Sequence, residues 1–177
     1  MKIYKQMIFL AFSFIILSCS ETSQEDLIKK AEAPLLDGMG IHTHKVTTNR
    51  ASQKYFNQGL ILSFAFNHAE SIRSFKAAQR LDPNCAMCYW GEALSRGPNI
   101  NVTSDGKVVM SPQDRKDAFK AIEKAKELMS SVSAKEQDYI LALSSRYNGD
   151  IGTDRSDLDM NYALAMEALY KKYPDDM

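Results

Sequence analysis

The chain lacks an excess of charge of either sign. It has 22 lysine and arginine residues against 22 aspartate and glutamate residues, so its formal net charge is zero. Proteins that bind nucleic acid gain most of their affinity by neutralising phosphates with surplus basic side chains. We therefore expect no nucleic-acid partner. Loss of the first 18 residues would remove Lys2 and Lys5 and leave a net charge of about −2, which strengthens this expectation.

The chain also lacks an apolar run long enough to cross a bilayer. Residues 7–17 are apolar apart from Ser13, whereas a spanning helix needs roughly 20 apolar residues. A short apolar run behind two lysines is typical of a signal peptide. It ends at Ile16-Leu17-Ser18-Cys19, an apolar pair followed by a small residue and a cysteine. This tetrapeptide resembles the bacterial lipobox, and an ordinary signal peptide is the alternative.

The lipobox resemblance implies that residues 1–18 are a lipoprotein signal peptide and that Cys19 becomes the lipidated first residue. Ser20 follows the cysteine where Asp would favour the inner membrane of Gram-negative bacteria. The resemblance therefore implies a bacterial outer-membrane location, with the protein facing the periplasm or the surface. Several acyl chains together anchor a protein firmly.

No catalytic set of residues stands in a supporting context. Neither a Ser/His/Asp nor a Cys/His arrangement has one, so we do not expect an enzyme. Cys85 and Cys88 have a spacing used in metal and redox sites, and His42 and His44 would complete four zinc ligands. Tyr89 follows Cys88, which excludes haem attachment. Two buried thiols or a local disulfide are the other interpretations of the pair.

His68 lies in a predicted turn beside Asn67. It is either a further ligand for such a metal or redox site, or a turn histidine hydrogen-bonded to the backbone. His42 and His44 share one side of an extended segment, where they face solvent unless a metal joins them. A metal- or redox-dependent envelope protein is therefore the alternative function.

Small and bulky side chains recur at helical spacing between residues 55 and 90. The first predicted helix has Tyr55 and Gly59, the second has Ser71, Phe75 and Ala78, and Pro83 closes the unit. Small residues let two helix backbones approach, and Phe75 then fills the space between them. A step of 34 residues leads from Tyr55 to Tyr89 and from Gly59 to Ala93.

This pattern resembles the tetratricopeptide repeat family, which pairs an aromatic and a small residue with a small–bulky–small motif and a proline. It departs at Gln58, where the family usually has leucine. The words FNHAESIRSF, LDPNCAMCYWG and GPNIN also resemble a narrower group of bacterial repeat lipoproteins to which no reaction is assigned. The resemblance implies an all-α fold, a right-handed solenoid of about three helical hairpins.

Capping signals predict six helices within a repeat domain over residues 48–177. They begin near Thr48, Asn67, Cys85, Ser111, Ser133 and Asp154. Residues 19–47 are mostly polar and predict a flexible tether with an extended segment, a short helix over 25–33 being the alternative. No polar capping helix follows the third pair, so the last pair caps itself, another subunit covers it, or the chain is the front part of a longer protein. The resemblance implies the last of these, because the bacterial group that the chain resembles is longer.

In tetratricopeptide repeats the first helix of each pair lines a concave groove. Carried over by position, the groove would be lined by Phe56, Leu60 and Ser63 from one helix and by Met87, Trp90 and Leu94 from another. Large apolar side chains of this kind accept a peptide or helix, unless the segment before the first helix, the long loop or missing later repeats cover them. The sequence therefore predicts a membrane-anchored scaffold with a protein or peptide partner in the envelope.

Overall fold

The fold is all-α in the part of the chain that the structure describes. The structure is a computed structural model, and it describes residues 23–104, 107–152 and 154–176. The helices are α1 (Gln24–Ala31), α2 (Arg50–Phe64), α3 (His68–Leu81), α4 (Ala86–Ser95), α5 (Pro112–Leu128), α6 (Ala134–Ser144) and α7 (Ser156–Lys172). A 3-10 turn over Met129–Ser131 follows α5.

Regular structure outside the helices is a single small hairpin within those residues. Strand β1 (Thr103–Ser104) pairs antiparallel with β2 (Lys107–Val108), inside the long loop that the sequence predicts before α5. No helix in the described ranges is long and apolar enough to span a membrane. The predicted signal peptide at residues 1–18 and the lipidation site at Cys19 lie outside the described residues.

Side-chain caps start the helices largely where the sequence predicts. Asn67 accepts a hydrogen bond from the Glu70 amide, and Ser133 forms a complete capping box with Glu136. Ser111 caps α5 in the same way. Each such cap contributes about 1 kcal/mol to helix stability.

Two helix starts each differ from the prediction by one residue. Asn49, not Thr48, caps α2, and the Thr48 hydroxyl instead donates to Asp82 at 2.7 Å. Asp154 lies one residue before the cap position of α7, where it accepts hydrogen bonds from the amide and hydroxyl of Ser156. In both places a neighbouring polar residue satisfies the first helical amides, so the helix still begins.

The helices pack in chain order from α2 onward. Each of α2 to α6 contacts the next helix, and in addition α2 contacts α4 and α4 contacts α6. The largest buried side chains lie between these helices: Tyr55, Phe56, Phe75, Met87, Ile122, Ile140 and Leu143. One continuous apolar core therefore runs from α1 to α6.

Phe75 fills the contact between α2, α3 and α4, as the sequence predicts. A Cβ at Gly59 would lie 2.9 Å from Cε2 of Phe75, and a Cβ at Gly91 would overlap the same ring. Phe75 is fully buried and meets Phe56 edge to face at 5.5 Å between ring centroids. Gly59 and Gly91 are thus needed so that both helices can approach the ring.

The structure differs from the predicted tether in residues 24–47. Helix α1 forms there, capped by Ser23, and packs against α3 through Leu27 and Ala31, which are both buried. Arg80 on α3 donates from Nε to the carbonyl of Ala31 at 2.8 Å. Leu27 and Ala31 are four residues apart, so they lie on the same face of α1. Their burial and the hydrogen bond from Arg80 together hold α1 against α3.

Residues 33–47, here called the strap, lie across α2 instead of extending away from the domain. The Tyr55 hydroxyl donates to the Ala33 carbonyl at 2.6 Å. Gln58 accepts from the Leu36 amide at 2.8 Å and donates to the Pro34 carbonyl at 3.1 Å. The departure from the family's leucine at position 58 therefore has a structural reason, since an amide side chain can bind the strap backbone on both sides.

The strap ends on α6. The amide and the hydroxyl of Thr47 donate to the two carboxylate oxygens of Glu136 at 2.6 and 2.7 Å. Glu136 is buried and also accepts from the amide of Ser133. The strap therefore joins the first helical pair to the third.

Candidate functional site

A pocket of about 170 Å³ opens between the strap, α2, α4 and α6. Its walls are mainly apolar and aromatic, with two imidazoles and one carboxylate among them. The lining residues are His42, His44, Leu60, Phe64, Met87, Trp90, Tyr139 and Asp176.

The predicted groove residues divide into two groups. Leu60, Met87 and Trp90 line the pocket together. Phe56 does not, because the strap covers it: it is fully buried, with the His44 ring 6.4 Å away between centroids. Ser63 and Leu94 are half-buried and are not among the lining residues. The strap has thus reduced the predicted open groove to a smaller pocket.

Trp90 forms a fixed wall of the pocket. Its Nε1 donates to the carbonyl of Tyr139 at 3.1 Å, and the two rings stand nearly perpendicular at 5.9 Å between centroids. Its only polar atom is satisfied and its side chain is 8% exposed, so a small part of the ring forms apolar wall of the pocket. The indole is therefore oriented without a ligand.

Asp176 lines the pocket, and its carboxylate is paired with neighbouring side chains. Lys135 donates to one carboxylate oxygen at 2.6 Å and the Tyr139 hydroxyl to the other at 2.9 Å. Burial raises the pKa of Asp176, but these two hydrogen bonds outweigh it, so its pKa lies below the ordinary value. Burial and then Asp176 raise the pKa of Tyr139 to about 12, so the phenol remains a donor at neutral pH.

His44 adds no positive charge to the pocket at neutral pH. Burial lowers its pKa below the ordinary 6.5, against an opposing effect of Asp176. Its backbone is held to α2, because Gln53 donates to its carbonyl and its amide donates to Asn57. With His44 neutral and Asp176 paired, this mainly apolar pocket is suited to an apolar side chain.

Tyr139, Asp176 and Phe64 were not predicted as site residues. Tyr139 comes from α6 and Asp176 from the turn after α7, and only the tertiary fold brings them to Trp90. Phe64 is the last residue of α2, and its position on the apolar side of that helix, four residues after Leu60, was the one available signal.

The predicted cysteine pair forms a disulfide, one of the three interpretations of its sequence. Cys85 and Cys88 are bonded at 2.03 Å and are fully buried at the start of α4. The Cys85 sulfur accepts from the Cys88 amide at 3.2 Å, and the Ser52 hydroxyl lies 3.4 Å from the Cys88 sulfur. Sulfurs joined in a disulfide are not the thiolates that bind zinc.

The three histidines do not join the cysteines. His42 and His44 line the pocket beside Trp90, and that pocket includes neither sulfur. Across residues 23–104, 107–152 and 154–176 no group of three or more His, Cys, Asp or Glu side chains could hold a metal ion. His68 instead forms a 2.7 Å hydrogen bond through Nε2 with Asn101, which connects the start of α3 to the long loop.

Comparison of the chain with protein-family models, with curated proteins and with solved structures gives no match. The function is therefore argued from the pocket and from the sequence patterns alone.

Proposed function

We propose that the protein is a membrane-anchored scaffold whose helical hairpins stack as a right-handed, tetratricopeptide-like solenoid and bind a peptide segment of an envelope protein. The contacts of α2 with α4 and of α4 with α6 support the stacking, because these are the first helices of successive pairs. The recurrence of small and bulky residues at helical spacing supports it from the sequence. Peptide binding in such a stack uses the surface that the first helices share.

The pocket beside Trp90 is the observation that carries the proposal. Its aromatic walls are held in place by the Trp90–Tyr139 hydrogen bond, so little side-chain entropy is lost when a ligand enters. Its walls are mainly apolar, and its volume is about 170 Å³. The partner it fits is therefore an extended peptide that inserts one large apolar side chain, such as Leu, Met or Phe.

The lipid anchor is a separate part of the proposal, and it depends on Cys19. Mass spectrometry of the protein from its own host is expected to show an acylated Cys19 as the first residue. Substitution Cys19→Ser is expected to move the protein from the membrane fraction to the soluble fraction. An intact or unmodified N-terminus in the host would contradict the anchor and leave the pocket unaffected.

The peptide-binding function is tested with two phenylalanines at the end of α2. Phe64 and Phe66 are 74% and 54% exposed, and only Phe64 lines the pocket. Peptides selected from a random display library against the full-length protein are synthesised, and their affinities are measured by fluorescence anisotropy. Phe64→Ala is expected to weaken binding roughly five- to tenfold, as for an aromatic contact worth 1–1.4 kcal/mol. Phe66→Ala is the matched control and should leave the affinity unchanged.

The selected peptides should share a large apolar residue, and its replacement by Ala should remove binding. The proposal fails if no peptide is enriched over an unrelated protein. It also fails if Phe64→Ala and Phe66→Ala have equal effects, since the pocket would then not be the binding site.

A further inference from the structure

Two glutamine side chains of α2 hold the strap by the same pair of backbone hydrogen bonds. Gln58 donates to the carbonyl of Pro34 and accepts from the amide two residues later, at 3.1 and 2.8 Å. Gln53 donates to the carbonyl of His44 and again accepts from the amide two residues later, at 2.9 and 3.1 Å. Backbone bonds of this kind hold an extended peptide whatever its sequence, and a pocket beside it then selects a side chain.

The part of the strap between the two glutamines is held by few buried contacts. None of the side chains of residues 36–45 is buried. Gly38 and Gly40 have φ angles of 73° and 82°, and a Cβ on either would meet no atom within 4 Å, so both positions suit a bend. Asn57 adds one longer hydrogen bond, from the His44 amide at 3.3 Å. A segment with so few buried side chains opens at a small cost in free energy.

The strap fills the pocket beside Trp90 incompletely. His42 and His44 are its contribution to the lining, together with Leu60 and Met87 from the helices, and about 170 Å³ remains between these side chains. A leucine in place of His44 would extend the apolar contact with the helices into this space. The strap is therefore a weaker occupant of this surface than a peptide with a large apolar residue at the same position.

We propose that residues 42–46 of the strap are an intramolecular substitute for the partner peptide, which binds by taking their place on α2. The partner's backbone is held by Gln53, and its large apolar side chain replaces His44 in the pocket. Because Gln53 needs a backbone N–H two residues after that side chain, the partner has no proline there. Displacement of the strap also uncovers Phe56, as in the groove predicted from the sequence. This inference rests on the proposed function and adds the way in which the peptide binds.

A peptide made from the strap tests the backbone bond. Its sequence is that of residues 40–48 with His44→Leu and an N-terminal fluorescein, and its binding to the full-length protein is followed by fluorescence anisotropy. N-methylation of the peptide at Val46 removes the N–H that Gln53 would bind and should weaken binding on the order of tenfold. N-methylation at Lys45 is the control, because successive residues of an extended segment point to opposite sides. Equal effects of the two modifications would overturn the proposal.

Two leucine substitutions in the protein test the exchange itself. His44→Leu should fill the pocket from within the chain and weaken binding of the peptide on the order of tenfold. Thr43→Leu is the matched control and should leave the affinity unchanged, because Thr43 is exposed and is not a lining residue.

The outcomes separate this inference from the proposed function. If library-selected peptides bind and depend on Phe64, but His44→Leu and Thr43→Leu bind them equally well, the strap is not exchanged and the proposed function stands. If neither the selected peptides nor the strap peptide binds, the proposed function fails and this inference fails with it.

Discussion

The first and last helical pairs bury their apolar residues to very different degrees. In the first pair, Tyr55, Phe56 and Phe75 have no exposed surface, because α4 and the strap cover α2 and α3. In the last pair, α7 leaves Met160 and Leu164 more than half exposed. The helices of the last pair are no less apolar in sequence than those of the first, so the difference comes from what covers each pair. In this fold a helical hairpin does not bury its apolar side chains alone; a neighbouring element has to cover them.

The largest effect is expected at the covered end. Phe75→Ala should lower the free energy of unfolding by about 3–5 kcal/mol, because it leaves a cavity between Gly59 and Gly91 that the helix backbones cannot close. Leu164→Ala, at the uncovered end, should change it by less than about 0.5 kcal/mol. Urea denaturation followed by circular dichroism measures both. Equal costs at the two positions would contradict the contrast between the ends.

The second prediction concerns how the strap covers the first pair. Gln58→Leu restores the residue usual in the resembled family but leaves the Leu36 amide and the Pro34 carbonyl without their partner. Loss of these bonds near a partly buried strap should cost about 2 kcal/mol. Hydrogen exchange at the Leu36 amide should become faster. Gln113→Leu on α5 is the control, because Gln113 is exposed and donates to Asp117 of the same helix. Unchanged exchange at Leu36 would show that Gln58 does not hold the strap.

Sequence patterns predicted where the helices form, but not which elements pack over them. The caps at Asn67, Ser111 and Ser133 are local signals, and the structure confirms each of them. The fit of Phe75 against Gly59 was also predictable, because size alternation along a helix shows which side chains face each other. Gly91, which meets the same ring, was missed, since the 34-residue step leads from Gly59 to Ala93 instead.

The strap was missed because its attachment is made of single polar contacts between residues far apart in the chain. The bonds from Tyr55 to Ala33 and from Thr47 to Glu136 span 22 and 89 residues. Such contacts leave no periodic pattern in the sequence. The same reason explains why Leu60, Met87 and Trp90 were predicted for the pocket while Tyr139 was not: the first three lie on helices that the repeat pattern aligns.

The smallest effect is expected where the strap joins the two ends of the molecule, at Glu136. Burial opposes ionisation of this carboxyl group, but hydrogen bonds from Ser133 and Thr47 outweigh it, so the folded-state pKa lies below the ordinary value of 4.5. A depressed carboxyl pKa stabilises the fold above the unfolded-state pKa, and this contribution is lost as the pH falls through the folded-state pKa.

Glu136→Gln should therefore cost about 1 kcal/mol of unfolding free energy at pH 7. The difference in unfolding free energy between Glu136→Gln and the unmodified protein, measured by urea denaturation, should shrink as the pH is lowered below about 4.5. Glu123→Gln on α5 is the control and should have little effect at any pH. If the Glu136→Gln difference were the same at pH 7 and pH 3, the charge of Glu136 would not be what holds the strap on α6, and uncharged hydrogen bonds and packing would hold it there.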